Sequence, residues 1–107
     1  MLTGKQKRFL RGLGHTLTPV VMLGKEGASE AVERKISQEL ENHELIKVRV
    51  LDTCETSARV LAPTLAEHTG GELVQVLGHT FLLYRRRRKD PRITLPKADA
   101  PRPAGAA

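Results

Sequence analysis

The stretch from Pro19 to Leu51, "PVVMLGKEGASEAVERKISQELENHELIKVRVL", decides the architecture. It opens with a β-rich run behind a proline, and proline suits the first residue of a strand because no ladder bond is lost there. "PVVML" therefore predicts strand one. From Ala28 to His43 the apolar residues Ala28, Val32, Ile36 and Leu40 recur every fourth position, the stripe of an amphipathic helix. "LIKVRVL" then alternates, with Ile46, Val48 and Val50 on one face and Lys47 and Arg49 on the other. Strand two has one face to bury and one basic face.

Between strand one and the helix lies Gly24-Lys25-Glu26-Gly27. Two glycines at this spacing can be plain turn punctuation, or a place where backbone amides approach a phosphate at the positive end of a helix dipole. Lys25 adds a charge at the loop tip and Glu26 opposes it unless it points elsewhere. No Walker motif is present, since the G-x-x-x-x-G-K-[ST] pattern does not match.

Upstream, Thr3 with Gln6 three residues on has capping-box spacing, and Gly14 stands where a helix can stop. In that first helix Gln6, Phe9, Leu10 and Leu13 fall on one side, and Lys5, Lys7, Arg8 and Arg11 on the other. One face is expected to pack and the other to be cationic. Downstream, Thr53 to Thr69 is compatible with a third helix that packs through Ala58, Leu61 or Ala62, Leu65 and Ala66 and stops at Gly70-Gly71. Pro63 lies inside it, which predicts a kink near Arg59 to Ala62 or a helix that begins at Pro63. "ELVQVLGHTFLLYRR" reads as two strands joined at Gly78-His79 in a hairpin.

The order is αβαβαββ. Strands separated by helices need right-handed crossovers, and the last pair must be antiparallel. A single compact α/β domain with a small mixed four-stranded sheet follows. It is expected over residues 1–96, where "RITLP" could add a short edge strand. Residues 97–107, rich in proline and alanine, are expected to form a disordered tail.

Composition narrows the function. Apolar residues make up 39% and charged residues 28% of the 107, which is a globular balance. The net charge of +6 is unevenly placed. Residues 1–25 hold five cations and no acid, residues 26–84 five cations against ten acids, and residues 85–107 eight cations against two acids. Basic ends around an acidic middle suit a domain that turns one face to a polyanion, and equally a solvated surface with a basic tail. The run Arg85, Arg86, Arg87, Arg88 and Lys89 could track a phosphate backbone.

Enzyme chemistry finds little support. His15, His43, His68 and His79 are scattered, and none pairs with Cys54 at a metal-ligand spacing. Glu26 and Glu30 read most simply as first-turn acids matched to a helix dipole. No catalytic residue, metal site or cofactor is expected. The single cysteine and the absence of a secretory signal or membrane-length apolar run favour a cytoplasmic protein. With Phe9, Phe81 and Tyr84 its only aromatics, the chain lacks the makings of a stacking platform of the RRM kind, and binding would rest on phosphates and shape.

Four blocks in order, "LTGKQKRFLRGLGHTLTPVVMLGKEG", "HELIKVRVL", "LAEHTGGELVQVLGHTFLLYR" and "ITLP", resemble the CRM domain, the RNA-binding fold named for chloroplast RNA splicing and ribosome maturation. Within it the chain is similar to the stand-alone bacterial YhbY-type proteins. The resemblance implies a fold similar to the C-terminal domain of bacterial translation initiation factor three. It also implies RNA binding, with precursor rRNA of the large ribosomal subunit and pre-ribosomal particles as partners. A monomer without a membrane association is expected.

The family's Gly-x-x-Gly loop falls on Gly24 and Gly27, its basic first-helix positions on Lys5, Lys7, Arg8 and Arg11, and its closing "LYR" on Leu83, Tyr84 and Arg85. Lys25 and Glu26 in the loop, Lys47 and Arg49 on strand two, and Arg86 to Lys89 complete the expected RNA contacts. Ala28, Cys54 and Pro63 depart from the family pattern. A protein-protein adaptor or initiation-factor-like module using the acidic helices Ala28 to His43 and Thr53 to Thr69 is the alternative function.

Overall fold

The computed structural model describes residues 2–97. Thr3 begins helix α1 (Gly4–Gly14) with a reciprocal cap: its hydroxyl accepts from the Gln6 amide at 3.1 Å, and the Gln6 side chain accepts from the Thr3 amide at 3.0 Å. Two of the orphan donors that any helix start leaves are thereby satisfied. Strand β1 (Pro19–Leu23), helix α2 (Glu30–His43), strand β2 (Leu45–Val50), helix α3 (Ala58–Thr69) and the strands β3 (Glu72–Leu77) and β4 (Thr80–Tyr84) follow. The αβαβαββ order is the expected one.

The sheet runs β1-β2-β4-β3. β1 and β2 are parallel, as their helical crossover demands, while β4 lies antiparallel to both β2 and β3. The β3–β4 hairpin turns at Gly78, whose φ of +59° favours glycine. Alternation along the strands sorts the side chains between two layers. Val21, Leu23, Ile46, Val48, Val50, Phe81 and Leu83 meet Ile36 and Leu40 of α2 and Leu61 and Leu65 of α3. Each such side chain contributes roughly 1.5–3 kcal/mol when fully buried, so this face carries most of the stability. On the other face a smaller cluster joins Leu10 of α1 to Leu45, Val74, Leu82 and Tyr84, with Leu2, Ile93 and Leu95 packed against it.

Helix α1 lies directly on β4 because Gly14 has no side chain: a Cβ there would stand 2.5 Å from Leu82 Cδ1. The contact also explains a departure from the expected face. Leu10 and Gly14 are buried, whereas Phe9 and Leu13 are 40% and 41% exposed, so the helix is rolled toward its glycine side.

Three further expectations are corrected. α2 begins at Glu30 rather than Ala28, because Ser29 takes the cap, its hydroxyl accepting from the Val32 amide at 3.2 Å. α3 begins at Ala58, five residues after Thr53 and five before Pro63, and continues through the proline. Pro63 is exposed, so its ring projects into solvent and not into the core. "RITLP" forms no strand; Ile93 and Leu95 instead lie against the smaller cluster, and the Gln6 side-chain Nε2 donates to the Pro96 carbonyl at 3.0 Å. Apart from Lys97, the expected disordered tail lies outside the described residues.

Candidate functional site

The Gly-x-x-Gly segment is a tight turn, closed by the Gly27 amide donating to the Gly24 carbonyl at 3.0 Å. Gly27 has φ +62°, a conformation that a side chain strains. Gly24 has no such constraint. A Cβ at Gly24 would make an ordinary contact, 3.4 Å from the Thr53 hydroxyl, so the fold itself does not require glycine there. At the tip Lys25 and Glu26 are exposed. Among the described residues, the amides of Lys25, Glu26 and Ala28 make no hydrogen bond within the chain. The turn thus offers three amide donors without partners among the described residues, a glycine that the fold does not require and one exposed cation. Glu30 and Glu33 occupy the first turn of α2, so the positive end of that helix already faces acids of its own.

The turn follows directly from Leu23, paired with Val50, at the end of the sheet where β2 also finishes. Arg49 precedes Val50 and is exposed, and Lys47 lies two residues back on the same face. That face is only partly covered by α1. Helical spacing places Lys5 and Arg8 on the outward side of α1, with Lys7 and Arg11 on the flank. Arg11, His15 and Lys47 line one cleft of about 520 Å³ between the end of α1 and the sheet. Gly12, in the last turn of α1, lines it too, and a Cβ there would meet nothing within 4 Å, so packing does not require glycine at this position.

The arginine run begins at the opposite end of the sheet, because β4 ends where β2 starts, with Tyr84 beside Leu45. The length of β2 separates this end from the Gly-x-x-Gly turn, roughly 17 Å at 3.3 Å per residue. The expected cations are therefore in two places. Arg85 is drawn into the framework, where its guanidinium donates to the Ser37 hydroxyl (3.0 Å), the Ser37 carbonyl (2.9 Å), the Thr69 carbonyl (2.7 Å) and the Glu41 carboxylate (3.3 Å). It ties the segment after β4 to α2 and to the end of α3. Arg86, Arg88 and Lys89 remain exposed.

What holds this basic segment is Glu44, which patterning did not single out. It caps α2 at φ +64°, a position where glycine or asparagine is usual, and it is 1% exposed. Its carboxylate accepts from the amides of Arg87 (3.1 Å), Arg92 and Ile93 (2.9 Å), and its carbonyl accepts from the Arg85 amide at 2.8 Å. Burial raises the carboxyl pKa, but the three amide bonds and the Arg87 charge together outweigh it and leave the group below the usual glutamate value. Burial, reinforced by the Glu44 charge and opposed by Arg86, pushes the Tyr84 phenol up. The basic segment is thus a loop wound around a buried anion. A non-glycine residue between a helix end and an apolar strand was the available sequence signal.

The acids proposed for an adaptor surface are partly engaged inside the domain. Glu33 pairs with His68 at 3.0 Å, Glu39 with His43 at 3.4 Å and Glu41 with Arg85, while Glu44 is buried. Among the described residues no three metal-ligating side chains are grouped, and no helix is long and apolar enough to cross a membrane.

Fold and site together define a small α/β binding module whose exposed cations suit a polyanion. The chain belongs to the CRS1 / YhbY (CRM) domain family, which it matches over residues 2–85. It is 44% identical over 96 residues to "Probable RNA-binding protein YqeI" of Bacillus subtilis, covering 90% of this chain and all of that one. An "RNA-binding protein" of Haemophilus influenzae is 41% identical over 96 residues, covering 90% and 96% of the two chains. The solution structure of a hypothetical Staphylococcus aureus protein, proposed to bind RNA, superposes with a TM-score of 0.76 at 47% identity and covers 90% of this chain and all of that one.

Proposed function

We propose that this chain is a non-enzymatic RNA-binding protein that acts in ribosome assembly, on precursor rRNA of the large subunit, as a cytoplasmic monomer. The observation that carries the RNA reading is the basic part of the open sheet face: Lys47 and Arg49 of β2 lie on it, Arg11 of α1 shares a cleft with Lys47, and the Gly-x-x-Gly turn with Lys25 follows β1 at the end where β2 finishes. Phosphates are the natural ligands of such an arrangement, and counterion release makes the affinity fall with salt. The names of the relatives point the same way. The Arg86, Arg88 and Lys89 group extends the contact at the far end of the sheet, whereas Arg85 serves the framework. The ribosomal assignment rests on the family resemblance.

Sedimentation of a lysate through sucrose tests both levels. Co-migration with large-subunit precursors at low salt, abolished at high salt, is expected. Salt-resistant association with a single protein would favour the adaptor, and migration at the top of the gradient at low salt would defeat the ribosomal assignment.

A further inference from the structure

The cleft at the C-terminal end of α1 is more than a gap between cations. Its sheet wall carries two side chains that the fold does not use internally. Gln75 is half-buried on the edge strand β3, and among the described residues its side-chain amide makes no hydrogen bond. Leu77, the last residue of β3, is 67% exposed, the most exposed large apolar side chain among the described residues. Register places Gln75 opposite Leu82 and Leu77 opposite Thr80, so both project from the face on which α1 lies. Lys47 of β2 flanks Leu82 on the same sheet wall, Arg11 and His15 stand across the cleft at the end of α1, and Gly12 leaves the helix lip free of a side chain.

We propose that this cleft is a subsite for one unpaired nucleotide of the bound RNA, with a phosphate between Arg11 and Lys47 and the base against Leu77 within reach of the Gln75 amide. The volume, about 520 Å³, is in the range of small-ligand pockets. The chemistry is divided as RNA recognition requires: point charges for the backbone, an amide with donor and acceptor for a base edge, and an apolar wall for its face. A base in a duplex cannot reach such a cleft, because its edge and faces are already paired and stacked. The subsite rests on the RNA reading above and adds that unpaired RNA is preferred.

The test uses two fluorescein-labelled probes with equal numbers of phosphates, a single-stranded RNA oligomer of mixed sequence and a blunt RNA hairpin, with affinities measured by anisotropy across a salt series. The full chain should bind the single strand at least fivefold more tightly. The double variant Gln75→Ala, Leu77→Ser should lose that preference while keeping its hairpin affinity, its salt slope and its melting temperature. Arg11→Ala with Lys47→Ala should weaken both probes and flatten the slope.

An NMR titration of the unaltered chain removes dependence on any variant. The Gln75 side-chain amide and the Leu77 methyls should shift with the single strand and not with the hairpin. If the chain binds RNA but the double variant retains the full preference, or if shifts are confined to the cationic helix and the glycine turn, the subsite is overturned alone. Failure to bind either probe overturns the RNA reading and the subsite with it.

Discussion

Replacing Glu44 with glutamine changes one atom of the side chain and should destabilise the domain measurably. The carboxylate takes three amide donors from the segment after β4, with one oxygen serving Arg92 and Ile93 and the other serving Arg87. A hydrogen bond to a charged group contributes about 1.5–3 kcal/mol. Glutamine can keep its carbonyl oxygen toward Arg92 and Ile93, now as a neutral acceptor, but turns an NH₂ toward the Arg87 amide. One bond is broken and two are weakened, offset by no longer burying a charge. The net is about 2 kcal/mol, or roughly 8–16 °C in Tm for a domain of this size.

The pH dependence sharpens the test. Glu44 titrates lower in the folded chain than its unfolded value of about 4.3, so its ionised form contributes stability that is complete above that pH and is lost as pH falls through the folded pKa. The gap between parent and Glu44→Gln should therefore be widest near neutrality and narrow progressively below about pH 4. Thermal melts followed by circular dichroism from acid to neutral pH measure both. A variant that melts with the parent at pH 7, or a gap that is constant into acid, would refute the role given to this carboxylate.

Further outcomes follow from the same geometry. Gly24→Ala should melt within about 0.5 kcal/mol of the parent yet bind RNA less tightly, whereas Gly27→Ala should lose about 1 kcal/mol of stability from its positive φ, both read by melting beside anisotropy. Arg85→Ala should cost about 2 kcal/mol through its severed internal bonds, while Arg86→Ala, Arg88→Ala and Lys89→Ala together should leave the melt unchanged and lower the log-log salt slope by about 0.7 for each phosphate no longer neutralised. Gly14→Ala should destabilise by about 1–3 kcal/mol, because the new methyl meets the buried Leu82.

Much of the fold was legible because it rests on local periodicity. The fourfold stripe of Val32, Ile36 and Leu40, the alternation of Ile46, Val48 and Val50, and the Thr3–Gln6 cap each act within a few residues, and each appears where expected. Helix starts were less legible, because the apolar stripe does not mark the residue at which the helical backbone begins. Ser29 and Ser57 take the cap positions, and the helices begin after them.

The sites divide along the same line. The sequence alone determined which cations the chain carries, where its glycine turn falls and which strand has a basic face, since these depend on residue type and spacing. Tertiary structure decided their grouping. Because β4 inserts antiparallel beside β2, the arginine run leaves the sheet at the end away from the glycine turn. The contact of Gly14 with Leu82 set the roll of α1 and with it the exposure of Phe9 and Leu13. Arg85 became a tie and Glu44 an anchor through partners 16 to 49 residues away in the chain. Such contacts depend on how the chain returns to itself, and a pattern read over a few neighbouring residues carries no information about that return.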